Sequence, residues 1–532
     1  MYSDKDSVNI LTALLVSHGI RHAVVCPGSR NAPIVHNLNE CPDITCYPVS
    51  DERSAAFFAL GIAQATDQPV VVCVTSGTAL LNVAPAVAEA HYQHLSLIVV
   101  SADRPAEWIG QLDGQTLLQP GALAPWVATT VTLPEDRHWH CNRLVNEALL
   151  EACADHRPCV HINVPISEPL FRFTVSQLPA ERVIQRYRPA ADYDCLPQQL
   201  IDDLRQSERP LIVFGQYSPQ RFHYEGLDHL FSHVTVLHEA LAPMTSVSHF
   251  EPFLGTPQQP PHPDFVLYVG DAIVSKRLKA YLREAHEART WRISLTGDVE
   301  DTFQNLCGIV VADAERLLQA LDTKLMRHTF TDAQKSYRRQ WLQRLAEAGK
   351  AIADEEPDFS EAAAVRLFEQ QLASVDGDYA VHYANSTAIR LANRYADGHP
   401  VWCNRGVNGI EGSLSTAAGF AAAQAATVFI VIGDLSFFYD QNALWNTNLA
   451  GNLRILLLNN HKGAIFDQLK GLEQSPAHER LIAAAHHATA EGICLENDIY
   501  YQQATTPETL RQAIDLLLHA PLTRPMLLEV MV

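Results

Sequence analysis

The chain has 532 residues, 47% of them hydrophobic and 19% charged, a composition typical of a soluble globular protein. This length predicts two to four domains of roughly 100 to 200 residues each. Lys and Arg number 39 against 60 Asp and Glu, and the resulting net charge of -21 argues against nucleic acid or an anionic membrane as the main partner.

The cysteines and the N-terminus predict a cytoplasmic protein. Eleven cysteines are scattered along the chain without a C-x-x-C pair, so we expect free thiols rather than disulfides or a zinc site. The first residues lack a basic segment followed by an apolar one, and no run reaches about 18 apolar residues. We therefore expect neither export nor insertion into a membrane.

A first α/β block extends from Val8 to about Pro169. Continuous apolar runs at residues 23–26, 70–74 and 97–100 predict parallel strands buried on both faces. Each run ends in a polar loop, and loops at the carboxyl ends of parallel strands are where open α/β sheets bind ligands. These loops are Pro27-Gly28-Ser29-Arg30, Thr75-Ser76-Gly77-Thr78-Ala79 and Ser101-Ala102-Asp103-Arg104-Pro105.

A polar, proline-bearing stretch at residues 177–199, which includes Arg188-Pro189, predicts a linker to a second α/β block. The strand candidates of that block are residues 210–215, 265–270 and 291–295. No G-x-G-x-x-G follows a strand there, which argues against a bound dinucleotide. Residues 326–358 are rich in Arg, Gln and Glu and predict a connecting helix with a solvated face.

The third block, which reaches Val532, contains the segment from Gly433 to Phe466. One apolar run ends at Gly433-Asp434-Leu435-Ser436, and a second, after a helical interval, ends at Asn459-Asn460. Asp434 and Asn460 would each supply a hard oxygen ligand, which Mg²⁺ prefers in an octahedron shared with phosphate oxygens and water. The segment therefore predicts a cradle for Mg²⁺ and a diphosphate.

Glu52 has two interpretations. It directly precedes a helical run at residues 55–65, so Asp51 could cap that helix while Glu52 favours its positive end. Alternatively, Glu52 is the acid of a cofactor site whose other half is the cradle. The presence of the cradle favours the second interpretation.

A glutamate on one α/β domain and a GD…NN segment on another resemble the two halves of the site in thiamine diphosphate-dependent enzymes. More closely, a set of motifs in all three blocks resembles the MenD family of 2-succinyl-5-enolpyruvyl-6-hydroxy-3-cyclohexene-1-carboxylate (SEPHCHC) synthases. The motifs are Pro27-Gly28-Ser29-Arg30, Asp51-Glu52-Arg53, Thr75-Ser76-Gly77-Thr78-Ala79, Ala102-Asp103-Arg104-Pro105, Gln119-Pro120-Gly121, Asn404-Arg405-Gly406 with Gly409-Ile410, Leu414-Ser415-Thr416-Ala417-Ala418-Gly419, and Gly433-Asp434-Leu435-Ser436 with Tyr439-Asp440.

The resemblance implies an α/β fold of three doubly wound domains with central parallel sheets. Residues 1–180 would form an aminopyrimidine-binding (PYR) domain, residues 200–325 a central Rossmann-like domain, and residues 355–532 a domain that binds the diphosphate and Mg²⁺ (PP). In that family the two halves of a site come from different subunits. We therefore expect a homodimer with active sites at the subunit interface, or a dimer of dimers.

The implied activity is that of a transferase, a carboligase of menaquinone biosynthesis. With thiamine diphosphate and Mg²⁺ or Mn²⁺, it would decarboxylate 2-oxoglutarate, add the succinyl group to isochorismate and release CO₂. Each substrate carries two carboxylates, so an acidic protein must concentrate cations in its pocket. Guanidinium groups suit this because they bind carboxylates bidentately and stay charged.

The resemblance assigns the substrate contacts to cations and serines of the motifs. Arg390 and Arg405 would face the part derived from 2-oxoglutarate, and Ser29 and Ser386 would add hydrogen bonds. The residues expected to face isochorismate are Arg30, Arg104, Lys276 and Arg277. The alternative for a single arginine is a surface ion pair, and for the serines it is a loop cap.

The resemblance also assigns catalytic and cofactor-binding residues. Glu52 would hydrogen-bond the aminopyrimidine ring and favour the tautomer that activates the cofactor, and Gln115 would lie beside it. The implied cofactor-binding residues are Glu52, Gly433, Asp434, Leu435, Ser436, Asn460, Ile410, Ile465 and Phe466, of which the last three could equally be core residues. The implied metal ligands are Asp434, Asn460 and the backbone carbonyl of Lys462.

Two positions depart from the superfamily's motif. Leu435 replaces the glycine that usually follows the aspartate, and this is the form that the MenD family uses. Lys462 replaces a glycine that is usual in the family, and a lysine beside a dication adds some repulsion. The histidines, including the pair His486-His487, match no metal spacing, so we expect them at the surface or in structural roles.

Two other functions stay open. Another thiamine diphosphate-dependent 2-oxo acid decarboxylase or carboligase, similar to acetolactate synthase, would handle a monocarboxylate and would not need so many cations. A catalytically silent, cofactor-binding homologue is the other possibility. The joint presence of Glu52, Asp434 and Asn460 argues against it.

Overall fold

The computed structural model describes residues 1–187 and 196–532, so part of the predicted linker, including Arg188-Pro189, and Cys195 lie outside the described residues. Three sheets of parallel strands, flanked by helices, organise the chain. The predicted α/β class with three parallel sheets is confirmed. The boundaries proposed for the three domains stay a prediction.

The first sheet has six strands in the order β2-β1-β3-β4-β6-β5. The strands are β1 (His22–Val25), β2 (Thr45–Pro48), β3 (Val70–Val74), β4 (Leu97–Asp103), β5 (Thr129–Thr132) and β6 (Val160–Pro165). The helices of this region are α1 (Asp6–Ser17), α2 (Ala32–Glu40), α3 (Glu52–Thr66), α4 (Thr78–Asn82), α5 (Ala84–Tyr92) and α6 (His138–Ala152).

Strand β3 shows why its sequence is a continuous apolar run. Val70, Val72 and Val74 pack into one core cluster, while Val71 and Cys73 pack into another on the opposite face of the sheet. Helices cover both faces, so neither set of side chains reaches water and no polar alternation is required.

The second sheet has five strands in the order β11-β10-β9-β7-β8. The strands are β7 (Pro210–Phe214), β8 (Thr235–His238), β9 (Phe265–Val269), β10 (Arg289–Ser294) and β11 (Leu306–Val311). The helices are α7 (Gln198–Gln206), α8 (Asp228–His233), α9 (Lys276–Arg283), α10 (Ala314–Leu325) and α11 (Asp332–Ala353). Helix α11 is the predicted connecting helix; it begins with a capping box at Thr331 and Gln334 and buries Trp341.

The third sheet has six strands in the order β13-β12-β14-β15-β17-β16. The strands are β12 (Tyr379–Tyr383), β13 (Val401–Trp402), β14 (Thr427–Gly433), β15 (Leu453–Asn459), β16 (Tyr500–Ala504) and β17 (Met526–Met531). The helices are α12 (Glu361–Leu372), α13 (Thr387–Tyr395), α14 (Ser413–Ala422), α15 (Asp434–Tyr439), α16 (Glu491–Glu496) and α17 (Pro507–His519).

The first and third sheets share one topology. Numbered within its own region, each sheet has its strands in the order 2-1-3-4-6-5. The strand order reverses between the first and third strands, and ligands of open α/β sheets bind at that switch point. In the third sheet the flanking strands are β12 and β14, which lead into Ser386 and Asp434.

Helices α3 and α14 join these two regions within one chain. An added Cβ at Gly61 would lie 1.9 Å from the carbonyl oxygen of Thr416, and one at Gly419 would lie 1.9 Å from that of Phe58. The two backbones therefore touch at this crossing, and only glycine fits at either position. One core cluster extends across the contact.

The described cysteines agree with the prediction of free thiols, and all ten of them are unpaired. No helix among the described residues is long and apolar enough to cross a membrane.

Candidate active site

The predicted cradle lies where β14 and β15 end. Asp434, the first residue of α15, is 3% exposed, and its Oδ1 accepts a hydrogen bond from the Leu435 amide at 2.6 Å. Its Oδ2 is buried and forms no hydrogen bond with the described residues, although His486 Nε2 lies 3.2 Å away. Burial raises the pKa of the Asp434 carboxyl. A buried carboxylate oxygen that accepts no hydrogen bond, at the end of a strand, fits a bound cation.

Asn460 completes the cradle from β15. Its Oδ1 accepts a hydrogen bond from the Lys462 amide at 3.1 Å, and its Nδ2 donates to Glu361 Oε1 at 3.0 Å. An added Cβ at Gly433 would meet nothing within 4 Å, so the strand end beside these side chains is open. The donor set of carboxylate and amide oxygens suits Mg²⁺.

The side chain of Lys462 forms ion pairs with two acids outside the predicted metal ligands. The ammonium lies 2.9 Å from Asp467 Oδ2 and 3.5 Å from Glu479 Oε1, and these acids raise the pKa of Lys462. Asp467, His478 and Glu479 have a spacing that could hold a metal, but the lysine already supplies their counter-charge. The Lys462 carbonyl accepts a hydrogen bond from the Ala464 amide at 3.0 Å, which leaves one lone pair for a ligand.

Apolar side chains flank the cradle. An added Cβ at Gly463 would lie 3.1 Å from the Phe466 ring and 3.3 Å from Leu435 Cδ1, so these two side chains approach each other there. Ile465 and Phe466 are partly exposed. Ile410 is 39% exposed, and its carbonyl accepts a hydrogen bond from the Ser436 hydroxyl.

Glu52 is the first residue of α3, and Asp51 is its cap. The Asp51 carboxylate accepts hydrogen bonds from the amides of Arg53 at 2.9 Å and Ser54 at 3.3 Å, so Glu52 is not needed for capping. Glu52 Oε2 accepts a hydrogen bond from Asn82 Nδ2 at 3.4 Å.

The neighbours of Glu52 contact the third region of the same chain. Arg53 donates to the carbonyl of Tyr439 at 2.8 Å, and Asn442 Nδ2 donates to Asp51 Oδ2 at 2.7 Å. Within residues 1–187 and 196–532, however, no hydrogen bond or ion pair joins Glu52 to Asp434 or Asn460.

The first region brings together Arg30 and Arg104. Arg30 is 5% exposed and donates to the carbonyl of Ile166 at 2.8 Å, and both arginines lie within 4.0 Å of Glu168 Oε1. Burial, and then the charge of Arg104, lowers the pKa of Arg30. Arg104 also donates to the carbonyl of Gly114 at 3.3 Å, next to Gln115. Ser29 and Gln115 are exposed.

A second group of cations lines a cavity of about 330 Å³ between the second and third regions. Lys276 and Arg277 begin α9, and Arg390 comes from α13. Glu251 also lines the cavity, and it pairs with Arg277 at 3.7 Å.

Arg405 is an electrostatic neighbour of this group. Burial, and then the charge of Arg405, lowers the pKa of Arg390. Arg405 is 8% exposed; it donates to Asn385 Oδ1 at 3.1 Å, and its Nε is buried without a hydrogen-bond partner. In the described part of the chain, no carboxylate lies within 4.0 Å of a cationic nitrogen of Lys276, Arg390 or Arg405.

Ser386 lies at the start of α13 with a φ of 72°, a backbone conformation that favours glycine. Its carbonyl accepts a hydrogen bond from Arg390 Nη1 at 2.6 Å. Strained backbone of this kind concentrates at functional sites, and here it accompanies a predicted substrate-binding serine.

Comparisons with known proteins identify the family. The model of the family "Thiamine pyrophosphate enzyme, N-terminal TPP binding domain" matches residues 6–122. A 2-succinyl-5-enolpyruvyl-6-hydroxy-3-cyclohexene-1-carboxylate synthase of Bacteroides fragilis is 44% identical over 547 residues, which cover 100% of this chain and 96% of that protein. The chain belongs to the SEPHCHC synthase family.

Other SEPHCHC synthases agree. The protein of that name from Bacteroides thetaiotaomicron is 43% identical over 100% of this chain and 96% of its own length. The one from Porphyromonas gingivalis is 35% identical over 89% of this chain and 86% of its own length. The predicted family is confirmed, and thiamine diphosphate is its cofactor. The role of each site residue stays a prediction.

Sequence reasoning missed two residues beside the cradle of this SEPHCHC synthase family member. Glu361 receives the hydrogen bond of Asn460, and burial, followed by the charge of Asp434, raises its pKa to about 7. His486 Nε2 lies 3.2 Å from Asp434 Oδ2, whereas His487 is exposed. Neither residue stands at a motif spacing, because both reach the cradle from distant parts of the chain.

A second pair of missed residues forms hydrogen bonds with backbone amides next to the predicted cations. Glu239 accepts hydrogen bonds from the amides of Val274 at 2.5 Å and Ser275 at 2.6 Å, directly before Lys276. Glu89 accepts hydrogen bonds from the amides of Gly406 and Val407, directly after Arg405. A buried glutamate in a helix or turn carries no sequence signal that separates it from a solvated one.

Proposed function

We propose that this protein is a SEPHCHC synthase, which decarboxylates 2-oxoglutarate and adds the succinyl group to isochorismate. The observation that carries the substrate assignment is a group of three cations, Lys276, Arg390 and Arg405, which have no carboxylate partner within 4.0 Å among the described residues. Lys276 and Arg390 line a cavity of about 330 Å³, and Arg405 is an electrostatic neighbour of Arg390. A chain with a net charge of -21 has many acids that could neutralise these cations. Their lack of partners fits a site that binds carboxylate substrates.

The cations are divided between the two substrates, and the cavity lined by Lys276, Arg277 and Arg390 contains residues for both. Arg390 and Arg405 bind the carboxylates of 2-oxoglutarate, and Ser386 orients Arg390 through its carbonyl. The residues that bind isochorismate are Arg30, Arg104, Lys276 and Arg277, with Ser29 beside Arg30. Bidentate contacts from guanidinium groups fix the orientation of each carboxylate.

The cradle holds a divalent cation, Mg²⁺ or Mn²⁺, and the diphosphate. Asp434, Asn460 and the carbonyl of Lys462 would hold the cation, and Asp434 Oδ2 is a buried oxygen that accepts no hydrogen bond from the described residues. Gly433, Leu435 and Ser436 would hold the diphosphate. Bound thiamine diphosphate supplies the carbon nucleophile for a 2-oxo group.

Glu52 and Gln115 serve the reacting end of the site. Glu52 holds a proton in a hydrogen bond with the aminopyrimidine ring, and Gln115 positions the substrate beside it. Ile410, Ile465 and Phe466, which are partly or largely exposed in the chain alone, exclude water from the reacting atoms.

The site is composed of halves from two chains of a homodimer, with a dimer of dimers as the alternative. This arrangement is the one that the resemblance to thiamine diphosphate-dependent enzymes implies, with Glu52 on the first region and Asp434 and Asn460 on the third. The cytoplasmic location stays a prediction.

The test is an assay of the purified chain with thiamine diphosphate, Mg²⁺, 2-oxoglutarate and isochorismate. We expect loss of isochorismate with release of CO₂. Turnover of pyruvate in place of 2-oxoglutarate would favour an acetolactate synthase-like enzyme, and cofactor binding without turnover would favour a catalytically silent homologue.

A further inference from the structure

The loop that carries Arg405 has no regular hydrogen-bonding pattern of its own. It joins β13 to α14 through residues 403–412, none of which lies in a helix or strand. Backbone amides and carbonyls that leave water need partners, and here side chains must provide them. The conformation of the loop, and with it the direction of the Arg405 side chain, therefore depends on a few polar side chains around it.

Glu89 of α5 is the central one of these side chains. It is 3% exposed, and its two carboxylate oxygens accept hydrogen bonds from consecutive amides, Gly406 at 2.6 Å and Val407 at 2.7 Å. These amides follow Arg405 directly. A carboxylate that binds two adjacent amides holds the peptide between them in one orientation.

The contact is close and leaves no room for a side chain on the loop. An added Cβ at Gly406 would lie 2.7 Å from the carbonyl oxygen of Glu89 and 2.9 Å from Tyr92 Cβ. Gln93, which directly follows α5, donates to Glu89 at 2.5 Å and to Asn404 Oδ1 at 3.4 Å. The C-terminal end of α5 thus contacts the residues on both sides of Arg405.

Asn385 fixes the loop from the opposite side. Its Nδ2 donates to the carbonyls of Asn404 at 2.5 Å and Gly409 at 2.6 Å, and its Oδ1 accepts the hydrogen bond of Arg405. Asn385 directly precedes Ser386. The first and third regions of one chain therefore meet at the arginine assigned to 2-oxoglutarate.

We propose that Glu89 is a positioning residue for substrate binding, which orients Arg405 toward 2-oxoglutarate by fixing the amides of Gly406 and Val407. The proposal rests on the proposed function, because it takes Arg405 as a substrate contact. According to this proposal, the aminopyrimidine-binding half of a chain orients the substrate-binding arginine of that same chain.

Electrostatics alone predicts the opposite effect, which makes the role testable. Burial raises the pKa of Glu89, and the hydrogen bonds of Val407, Gly406 and Gln93 and the charge of Arg405 oppose the rise by favouring the carboxylate. Replacing that carboxylate with a neutral side chain would strengthen the attraction between Arg405 and an anionic substrate. Loss of positioning would instead weaken substrate binding. The direction of the change in KM therefore separates the two effects.

The experiment compares steady-state kinetics of Glu89→Gln with those of the wild type, at saturating isochorismate and thiamine diphosphate. Glutamine keeps the shape but presents an NH₂ group to one of the two amides. We expect the KM for 2-oxoglutarate to rise by about 10- to 100-fold, because this factor corresponds to the loss of one charge-assisted hydrogen bond. The change in kcat should be smaller. The affinity for thiamine diphosphate should stay within about twofold of the wild type, since the cradle is untouched.

Two further variants distinguish a loss of positioning from a general loss of structure. Gly406→Ala keeps the Glu89 carboxylate, but its methyl group would push the loop of residues 403–412 away from α5. It should therefore also raise the KM for 2-oxoglutarate. Asp264→Asn is the matched control, because Asp264 also accepts hydrogen bonds from two consecutive amides, Glu208 and Arg209, each at 2.9 Å, away from the predicted site. We expect wild-type kinetic constants for Asp264→Asn.

An unchanged or lower KM for 2-oxoglutarate in Glu89→Gln would overturn the positioning role. A second result would also overturn it, in favour of a structural role. In that result kcat falls, the KM for 2-oxoglutarate rises and the affinity for the cofactor falls, all by the same factor, and the melting temperature is lower. A wild-type enzyme that turns over no 2-oxoglutarate would overturn the proposed function itself, so the two failures are distinguishable.

Discussion

At the scale of single residues, the environment of Glu52 separates its catalytic role from a structural one. Asp51 caps α3, and within the described part of the chain the one hydrogen bond of the Glu52 side chain is a long one from Asn82, at 3.4 Å. A carboxylate at a helix start that is not needed for capping is free to serve a ligand. Asp434 is similar, since its buried Oδ2 accepts no hydrogen bond from the described residues.

Glu52→Gln should therefore fold and bind thiamine diphosphate but fail to activate it. We expect the rate of proton exchange at C2 of the bound cofactor to fall by about 100-fold or more, because proton transfer by a positioned group contributes this much. Hydrogen–deuterium exchange followed by NMR measures the rate. Glu508→Gln, a change in the first turn of α17, is the control. Unchanged exchange in Glu52→Gln would contradict the role.

Glu239 gives the protein a predictable response to pH. Burial raises the pKa of Glu239 to about 7, and the charge of Glu251 adds to the rise. The hydrogen bonds from the Val274 and Ser275 amides and the charge of Arg405 act in the opposite direction and lower the pKa. A raised pKa means that the folded chain binds a proton more tightly than the unfolded chain does. The stabilisation is present below about pH 4 and is lost as the pH rises through about 7.

Glu239→Gln should remove that part of the pH dependence. Between pH 5 and pH 8 the wild type should lose on the order of 3 kcal/mol more of its unfolding free energy than the variant does. Melting temperatures of both proteins at the two pH values measure the difference. Other groups with raised pKa, such as Asp440 at about 6, are common to both proteins and cancel. Equal pH responses would show that Glu239 does not titrate in this range.

The residues that sequence reasoning found and missed differ in a physical way. Asp434, Asn460, Arg390 and Arg405 follow strands, and the carboxyl ends of parallel strands meet at one edge of a sheet, so position in the chain predicts position in the site. Glu361, Glu89 and Glu239 lie in helices or turns and act through contacts that only the folded chain creates. Their burial is the informative property, and a single sequence does not show it.

At the scale of elements, the crossing of α3 and α14 tolerates no side chain at the contact. A methyl group at Gly61 would lie 1.9 Å from Thr416 O and 2.7 Å from Phe420 N, which are backbone atoms that cannot turn aside. The helices would have to separate, and the core cluster that they share would open.

Gly61→Ala should therefore destabilise the protein by at least about 3 kcal/mol, at the upper end of overpacking effects. Gly492→Ala is the matched control, because Gly492 lies in helix α16 and an added Cβ would meet nothing within 4 Å. That change should be neutral or slightly stabilising. Melting temperatures of both variants test the contrast, and a Gly61→Ala protein as stable as the control would show that the helices are not in backbone contact.

The central strands could be predicted from the sequence because burial on both faces makes them continuous apolar runs. The strands β3, β7 and β9 match their predicted runs to within a residue. The edge strands β2 and β13 did not stand out, since they are short and partly exposed, so their sequences lack the run. Helix α11 was predicted from composition, but its buried Trp341 was not.

At the scale of the whole molecule, the first and third regions are two copies of one topology with different chemistry at their strand ends. The first carries Glu52 after its second strand, and the third carries Asp434 and Asn460 after its third and fourth strands. A single sequence does not show this relation, because strand order depends on contacts between distant segments. The pairing of the two kinds of half-site across a dimer is the central claim of the proposed function.

Mixed dimers test this claim most directly. Chains with Glu52→Gln and chains with Asp434→Ala, carrying different affinity tags, are co-expressed, and the mixed dimers are purified and assayed for isochorismate loss with 2-oxoglutarate. If each site takes Glu52 from one chain and Asp434 from the other, one site of a mixed dimer is intact, and the activity should recover to about half that of the wild-type dimer. Mixed dimers no more active than either parent homodimer would contradict the composite site and place each site within a single chain.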